Sequence, residues 1–251
     1  MNDSVIISAM RRRPPQGLDQ LVTAAMRVFA EKGYRRAQMS DVARAMGVAP
    51  GTLYGYVAGK EALFHLVVDR AFSGNGRAPV PGLPVPTPPP GATLARLRER
   101  MTADSVLPAL DAALRRARPA DPRAEVEAVV TALYDRIAGA WQGIVVLETS
   151  ALEWPELAQV FYADVRGRLL QKLERYIKRR MDAGVFQGVP SAAGAARFVL
   201  ETVAWFAMHR HRDRHGGLDD RAARQTTLTL VTRAFVPARG RHARRKESRR
   251  R

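Results

Sequence analysis

The residues with the most usable chemistry lie together in one short stretch, Pro50-Gly-Thr-Leu-Tyr-Gly-Tyr56. Thr52 brings a hydroxyl that can bond a phosphate or a base edge. Tyr54 and Tyr56 bring phenol groups for phosphate and rings for thymine methyls. Pro50 suits the first position of a helix, where its missing N–H is no loss. The start of that helix, with Gly51 and Gly55 lacking side chains, presents backbone amides to an anion. Lys60 adds a cation just beyond, and Gln38 and Ser40 stand at the head of the preceding helix. This set suits contact with double-stranded DNA. No catalytic set accompanies it: there is no Gly-x-Ser-x-Gly elbow, Walker loop, dinucleotide glycine fingerprint or zinc signature. The expectation is a protein that is not an enzyme and carries no cofactor.

The composition points the same way. The chain has 251 residues, with 46% hydrophobic and 26% charged, as in ordinary globular proteins. It has no cysteine, so disulfides, thiolate metal sites and cysteine nucleophiles are excluded. His209, His211 and His215 do not make a metal site, because the i, i+2 spacing splits the first two across a helix. A solvated basic helix end is the plainer reading, and no metal is expected. The net charge is +17. More than half of that excess sits in residues 1–17 and 237–251, and basic ends attract polyanions without reading them. No run of apolar residues approaches a membrane span. Arg11-Arg12-Arg13 follow the apolar start instead of preceding it, the reverse of a secretory signal. A cytoplasmic protein is expected.

The elements that must position the seven residues are helices. Leu21, Ala25, Val28 and Phe29 make an amphipathic stripe that stops at Gly33. A short helix is expected from Met39 to Met46, then a turn at Gly47-Val48-Ala49, then a second short helix from Pro50 to Tyr56. Two short helices around a glycine turn form a helix-turn-helix, with Val42, Val48 and Leu53 filling its small core. A further helix starts near Lys60. The blander reading is that Tyr54 and Tyr56 are core aromatics. Residues 77–91 hold seven of the 16 prolines and read as a polyproline-like connector. Beyond it, helical patterns run to residue 236 with no strand-like alternation. The expected chain is all-α: a basic N-terminal arm at 1–17, a three-helix helix-turn-helix domain at 18–72, a connector at 73–91, a helical domain at 92–236 and a basic tail at 237–251.

Four segments, in order and at matching spacing, resemble the TetR/AcrR family of transcriptional regulators: Phe29-Ala-Glu-Lys-Gly-Tyr34, Asp41-Val-Ala-Arg-Ala-Met-Gly-Val48, Gly51-Thr-Leu-Tyr-Gly-Tyr56 and Gly59-Lys-Glu-Ala-Leu-Phe64. The resemblance covers residues 18–72. It implies DNA contacts from Gln38, Ser40, Pro50, Gly51, Thr52, Tyr54, Gly55, Tyr56 and Lys60. There are departures. Gln38 stands where Ser or Thr is common, Ala49-Pro50 where Ser-Lys is common, Gly55 where His or Asn is frequent, Val57 where Phe is usual and Gly59 where Ser often caps. These bear on affinity more than on fold.

The resemblance also implies that the C-terminal helices bind a small molecule and form a homodimer. Met101, Leu107, Tyr134, Trp141, Glu148, Trp154, Phe161 and Tyr162 are candidates for the pocket, although each residue type is more often ordinary core. Phe198, Thr202, Trp205, Leu228, Val231 and Phe235, with Ala195, are candidates for the dimer interface. Reading a palindromic operator calls for two-fold symmetry, so the dimer also follows from the mechanism. The expected function is a sequence-specific transcriptional regulator, a repressor released by an unknown small-molecule effector. The alternative is a nonspecific basic DNA-coating protein.

Overall fold

The computed structural model describes residues 15–73, 82–104, 107–213 and 215–236. The arginines of the expected arm, Arg11–Arg13, and the tail 237–251 lie outside the described residues. Within them the chain is helical. Pairing of extended backbone is confined to one bridge, between Val57 and Val85. No described helix is long and apolar enough to cross a membrane.

The first four helices are α1 (Pro15–Arg36), α2 (Met39–Met46), α3 (Pro50–Leu53) and α4 (Lys60–Ala71). Helical geometry in α1 breaks at Gly33, whose φ is 73°. The expected second short helix reaches only Leu53, and Tyr54–Tyr56 form turns. Leu21, Ala25, Val28, Phe29, Val42, Leu53, Leu63, Phe64 and Val67 close a dry core among these helices.

The larger half comprises α5 (Ala92–Asp104), α6 (Pro108–Arg115), α7 (Pro122–Ala151), α8 (Pro155–Ala158), α9 (Arg168–Asp182), α10 (Ala192–Ala207) and α11 (Asp220–Phe235). A π-helical stretch, Gln159–Gly167, joins α8 to α9 without a break. Asp121 starts α7 by accepting bonds from the N–H groups of Arg123 and Ala124. Ser191 and Asp219 cap α10 and α11 in the same way.

α7 holds the two halves together. Thr149 Oγ1 donates to the Ala30 carbonyl at 3.0 Å, and the Tyr34 N–H donates to Ser150 Oγ at 3.1 Å. Lower down, a Cβ at Gly143 would meet the Ala71 methyl at 2.5 Å. Gly143 therefore permits a close crossing of α4 over α7. α7 runs as one unbroken helix through Gly139 and Gly143.

One charged residue is sealed inside. Arg180 bonds Glu125 Oε1 at 2.7 Å and Oε2 at 3.0 Å, and donates to the carbonyls of Ala113, Arg116 and Ala117. Tyr176 donates its hydroxyl to the same carboxylate, and burial beside it pushes the phenol pKa up. The cluster pins α6, α7 and α9, and its bonds offset the cost of removing the guanidinium from water.

Candidate nucleic-acid interface and effector cavity

The candidate surface is built by α2 and α3. Asp41 anchors α2. Its carboxylate accepts the Gln38 N–H at 3.0 Å, pairs with Lys32 of α1 at 2.7 Å and with Arg44 at 3.3 Å. The bond from Lys32, ahead of that from Gln38, holds the Asp41 carboxyl below the usual carboxylate range. Asp41 reaching back to the Gln38 N–H thus forms one arm of a capping box at the start of α2. Gly47 closes α2 in the left-handed conformation, with φ 69°, and the Val48 N–H bonds the Ala43 carbonyl. That turn aims α3 away from α2, while Leu53 and Val57 fasten it to the core.

The two tyrosines part company here. Tyr54 is 52% exposed, and Pro50 and Gly51 beside it are also exposed. Tyr56 is 8% exposed, and its ring end lies so close to Gly17 that no side chain would fit there. The expectation that Tyr56 reads a base is therefore corrected: two residues along a turn is enough to swing the side chain into the core. Thr52 and Gly55 are half-buried at the edge of the same surface. Ser40 donates to Gln38 Oε1 at 3.3 Å, which holds the two together at the start of α2.

Lys60 is corrected as well. Its Nζ donates to the carbonyls of Arg35 and Ala37 at 3.2 and 3.1 Å and sits 4.8 Å from the centre of the Tyr34 ring. It closes the end of α1 instead of projecting toward a phosphate. Arg44, exposed on α2, is the cation that reasoning from sequence passed over.

The proline-rich connector returns to this surface. Val85 donates its N–H to the Tyr56 carbonyl and accepts from the Ala58 N–H, both at 2.8 Å. Leu83 and Val85 pack on the N-terminal core. The connector thus straps the turn that follows α3.

The larger half encloses a cavity of about 450 Å³ between α4, α5, α7, the π-helical stretch, α9 and α10. Of the expected lining, Met101, Leu107, Glu148 and Phe161 reach it. Tyr134, Trp141, Trp154 and Tyr162 do not line it. Tyr134 is buried and donates to the Phe206 carbonyl at 3.2 Å. Trp141 stacks on His211 at 4.7 Å. Trp154 joins Tyr34 and Phe64 in the aromatic cluster of the N-terminal core. Tyr162 is exposed beside Phe161. Among the described residues, no group of three or more His, Cys, Asp or Glu side chains could hold a metal.

The dimer candidates divide similarly. Phe198 and Trp205 are 48% and 44% exposed on α10, with half-buried Thr202 between them. On α11, Val231 and Phe235 are buried within the protomer and Leu228 is half-buried. Val231 and Phe235 are corrected as interface residues: Phe235 packs on Phe186 at 5.3 Å. Leu230, 52% exposed and one residue away from Val231, faces outward instead. One residue along a helix is a rotation of about 100°, and the sequence pattern alone allowed either face.

Residues 21–67 match the family described as bacterial regulatory proteins, tetR family. The matched segment lies within the helix-turn-helix half of the chain. Curated relatives match this part of the chain as well. The fatty acid metabolism regulator protein of Bacillus subtilis (strain 168) is 42% identical over 52 residues, 21% of this chain and 26% of that protein. The HTH-type transcriptional regulator UidR of Escherichia coli (strain K12) is 31% identical over 68 residues, 26% of this chain and 34% of that protein. The chain thus spans about a quarter to a third of the length of these relatives. Over the whole fold it is similar to ketosteroid transcriptional regulator KstR2 of Mycobacterium tuberculosis, with a TM-score of 0.56 and 17% identity, covering 90% of this chain and 98% of that one. It is similar also to the TetR family transcriptional regulator PfmR of Thermus thermophilus, with a TM-score of 0.50 and 19% identity, covering 87% and 99%. The helical half beyond the matched segment therefore shares the fold of these structures.

Proposed function

We propose that this chain is a homodimeric, sequence-specific DNA-binding regulator acting in the cytoplasm, a repressor released by a small-molecule effector. Residues 18–72 read DNA, 73–91 connect, and 92–236 dimerise and hold the effector. The observation that carries the reading is the surface around Tyr54. It is exposed at the head of a helix-turn-helix and anchored from behind by Leu53, Tyr56 and Val57. The residues that project there, Pro50, Gly51, Thr52, Tyr54 and Gly55, with Gln38, Ser40 and Arg44 on α2, are the proposed contacts. The exposed Phe198, Trp205 and Leu230 give a second copy an apolar face to cover, and a two-fold pair presents two reading helices to two half-sites.

Release needs a ligand that favours a state with the reading helices misplaced. The cavity touches Arg70, Ala71 and Phe72 at the end of α4, so an occupant acts on a helix of the DNA-reading half. One fold neighbour, AibR, is described in complex with isovaleryl coenzyme A and operator DNA, with a TM-score of 0.51 and 16% identity, which lends support to a small-molecule effector.

Selection of bound DNA from a random pool with purified protein tests the reading. A two-fold symmetric site is the expected result. Sequence-independent recovery, abolished by removing residues 237–251, would overturn it in favour of a basic coating protein. No chemistry is assigned to the chain beyond binding.

A further inference from the structure

The walls of the cavity are mostly apolar, with Phe72, Met101, Leu133, Ile137, Phe161 and Leu200 among them. What selects a ligand in such a space is the few polar groups whose bonding is incomplete. An account of the charged groups on its surface therefore decides its chemistry.

The arginines are already engaged. Arg166 is paired with Glu201 and lies 6.0 Å from the Tyr162 ring centre. Arg70 pairs with Asp19 of α1 at 3.4 Å, and its Nε is buried without a hydrogen-bond partner. Arg136 has interactions of its own. The acidic groups are engaged too, with one exception. Asp135 holds Arg224 through two bonds of 3.1 Å, and Glu201 holds Arg166 and Arg197. Glu148 alone among these carboxylates makes no hydrogen bond or ion pair with a described residue, and its oxygens are not sealed away from the cavity.

We propose that this cavity takes an amphiphilic cation, with an apolar body against its aromatic and aliphatic walls and a protonated amine seated on Glu148. The proposal rests on the effector reading given above and narrows its ligand class. A carboxylate left unpaired in a nonpolar space is costly, and an ammonium that arrives with its own N–H donors removes that cost while leaving the Arg166–Glu201 pair intact. An anionic ligand must instead sit beside the like charge of Glu148; among the basic wall residues, His209 makes no hydrogen bond or ion pair with a described residue that such a ligand would have to break. The π-helical stretch fits the arrangement. Its wide turn brings Phe161, Val165 and Arg166 onto the cavity wall from one segment, and such local widening is often found where a helix forms a ligand site. The rings of Phe72 and Phe161 add faces that attract a cation.

The state of Glu148 agrees with this account. Burial, before all else, pushes its carboxyl pKa up, with Glu201 acting in the same direction. His209, Arg166 and Arg212 act in the opposite direction without cancelling the rise.

The test uses the full chain and three probes of equal length: decylamine, decanol and decanoate. Binding is measured by calorimetry at neutral pH, below the concentrations at which the probes aggregate. Decylamine is expected to bind at least about ten-fold more tightly than either of the others, the discrimination of one desolvated charge pair. In Glu148→Gln the preference for amine over alcohol is expected to fall to within about two-fold. Tightest binding of decanoate, equal binding of the three, or no binding of any of them overturns the proposal on the unaltered protein alone. It is thus testable even if the variant does not fold. An unchanged preference in a folded Glu148→Gln variant overturns it as well. Adding the probes to the complex with selected DNA separates the two readings. Amine binding without DNA release sinks the effector reading and leaves the ligand class standing. Site-specific DNA binding together with a preference for decanoate does the reverse.

Discussion

The two halves of the molecule treat interior space and charge in opposite ways. Around α1–α4 the interior is closed by Leu21, Phe29, Leu53, Phe64 and Val67, and no described charged residue is sealed there as Arg180 is in the other half. Around α7–α11 the chain keeps about 450 Å³ open, seals Arg180 with Glu125 and leaves Glu148 on a cavity wall. A closed apolar core holds an exposed reading surface in one geometry. An open space with incompletely bonded groups answers to whatever fills it. The difference assigns rigidity to the half proposed to meet DNA and responsiveness to the half proposed to hold a ligand, with α4 packing against both.

Breaking the sealed pair tests the larger half most severely. Glu125→Ala leaves Arg180 buried without its partner and is expected to destabilise the protein by about 3–5 kcal/mol, read as a fall in Tm. In the smaller half, Tyr56→Ala is expected to cost about 3 kcal/mol or more by emptying a core position. Tyr54→Ala, only two residues away, is expected to leave Tm unchanged and weaken binding to the selected DNA by about 1–3 kcal/mol. Equal effects of these two substitutions on Tm would contradict the split between reading surface and core.

Val85→Pro removes the N–H that bonds the Tyr56 carbonyl. The expected loss is about 1 kcal/mol, appearing in DNA affinity while binding of a probe in the cavity stays the same. A matching loss in both measurements would show that the strap serves the fold at large. The smallest effect concerns acid. The Asp41 carboxyl is held below its ordinary value, so its contribution to anchoring α2 is complete above the unfolded carboxylate pKa of about 3.9 and fades as the pH falls through the lower folded value. Asp41→Asn is expected to remove that part of the acid dependence, measured by thermal unfolding below pH 5, about one unit above the unfolded value.

The smaller half was readable because its signals are local. Gly33, Gly47 and Pro50 mark the ends and the start of helices, and Val42, Leu53, Phe64 and Val67 repeat at helical spacing over short distances. Tyr56 was misread because it leaves the end of α3 in a turn, where helical periodicity no longer tells which way a side chain points. The cavity was mostly out of reach. Tyr134, Trp141 and Trp154 have the composition of pocket residues, yet each is taken by a partner distant in sequence: the Phe206 carbonyl, His211, and the pair Tyr34 and Phe64. Val231 and Leu230 show the same limit on α11, where two adjacent apolar residues gave no clue as to which one faces the protomer.

Helix content, the turn at Gly47 and the composition of the reading segment are consequences of neighbours along the chain, so the order of residues was enough to determine them. Which tyrosine faces outward, which aromatics surround empty space and which carboxylate lacks a partner depend on side chains tens of residues apart competing for the same contacts. Only packing in three dimensions decides that competition.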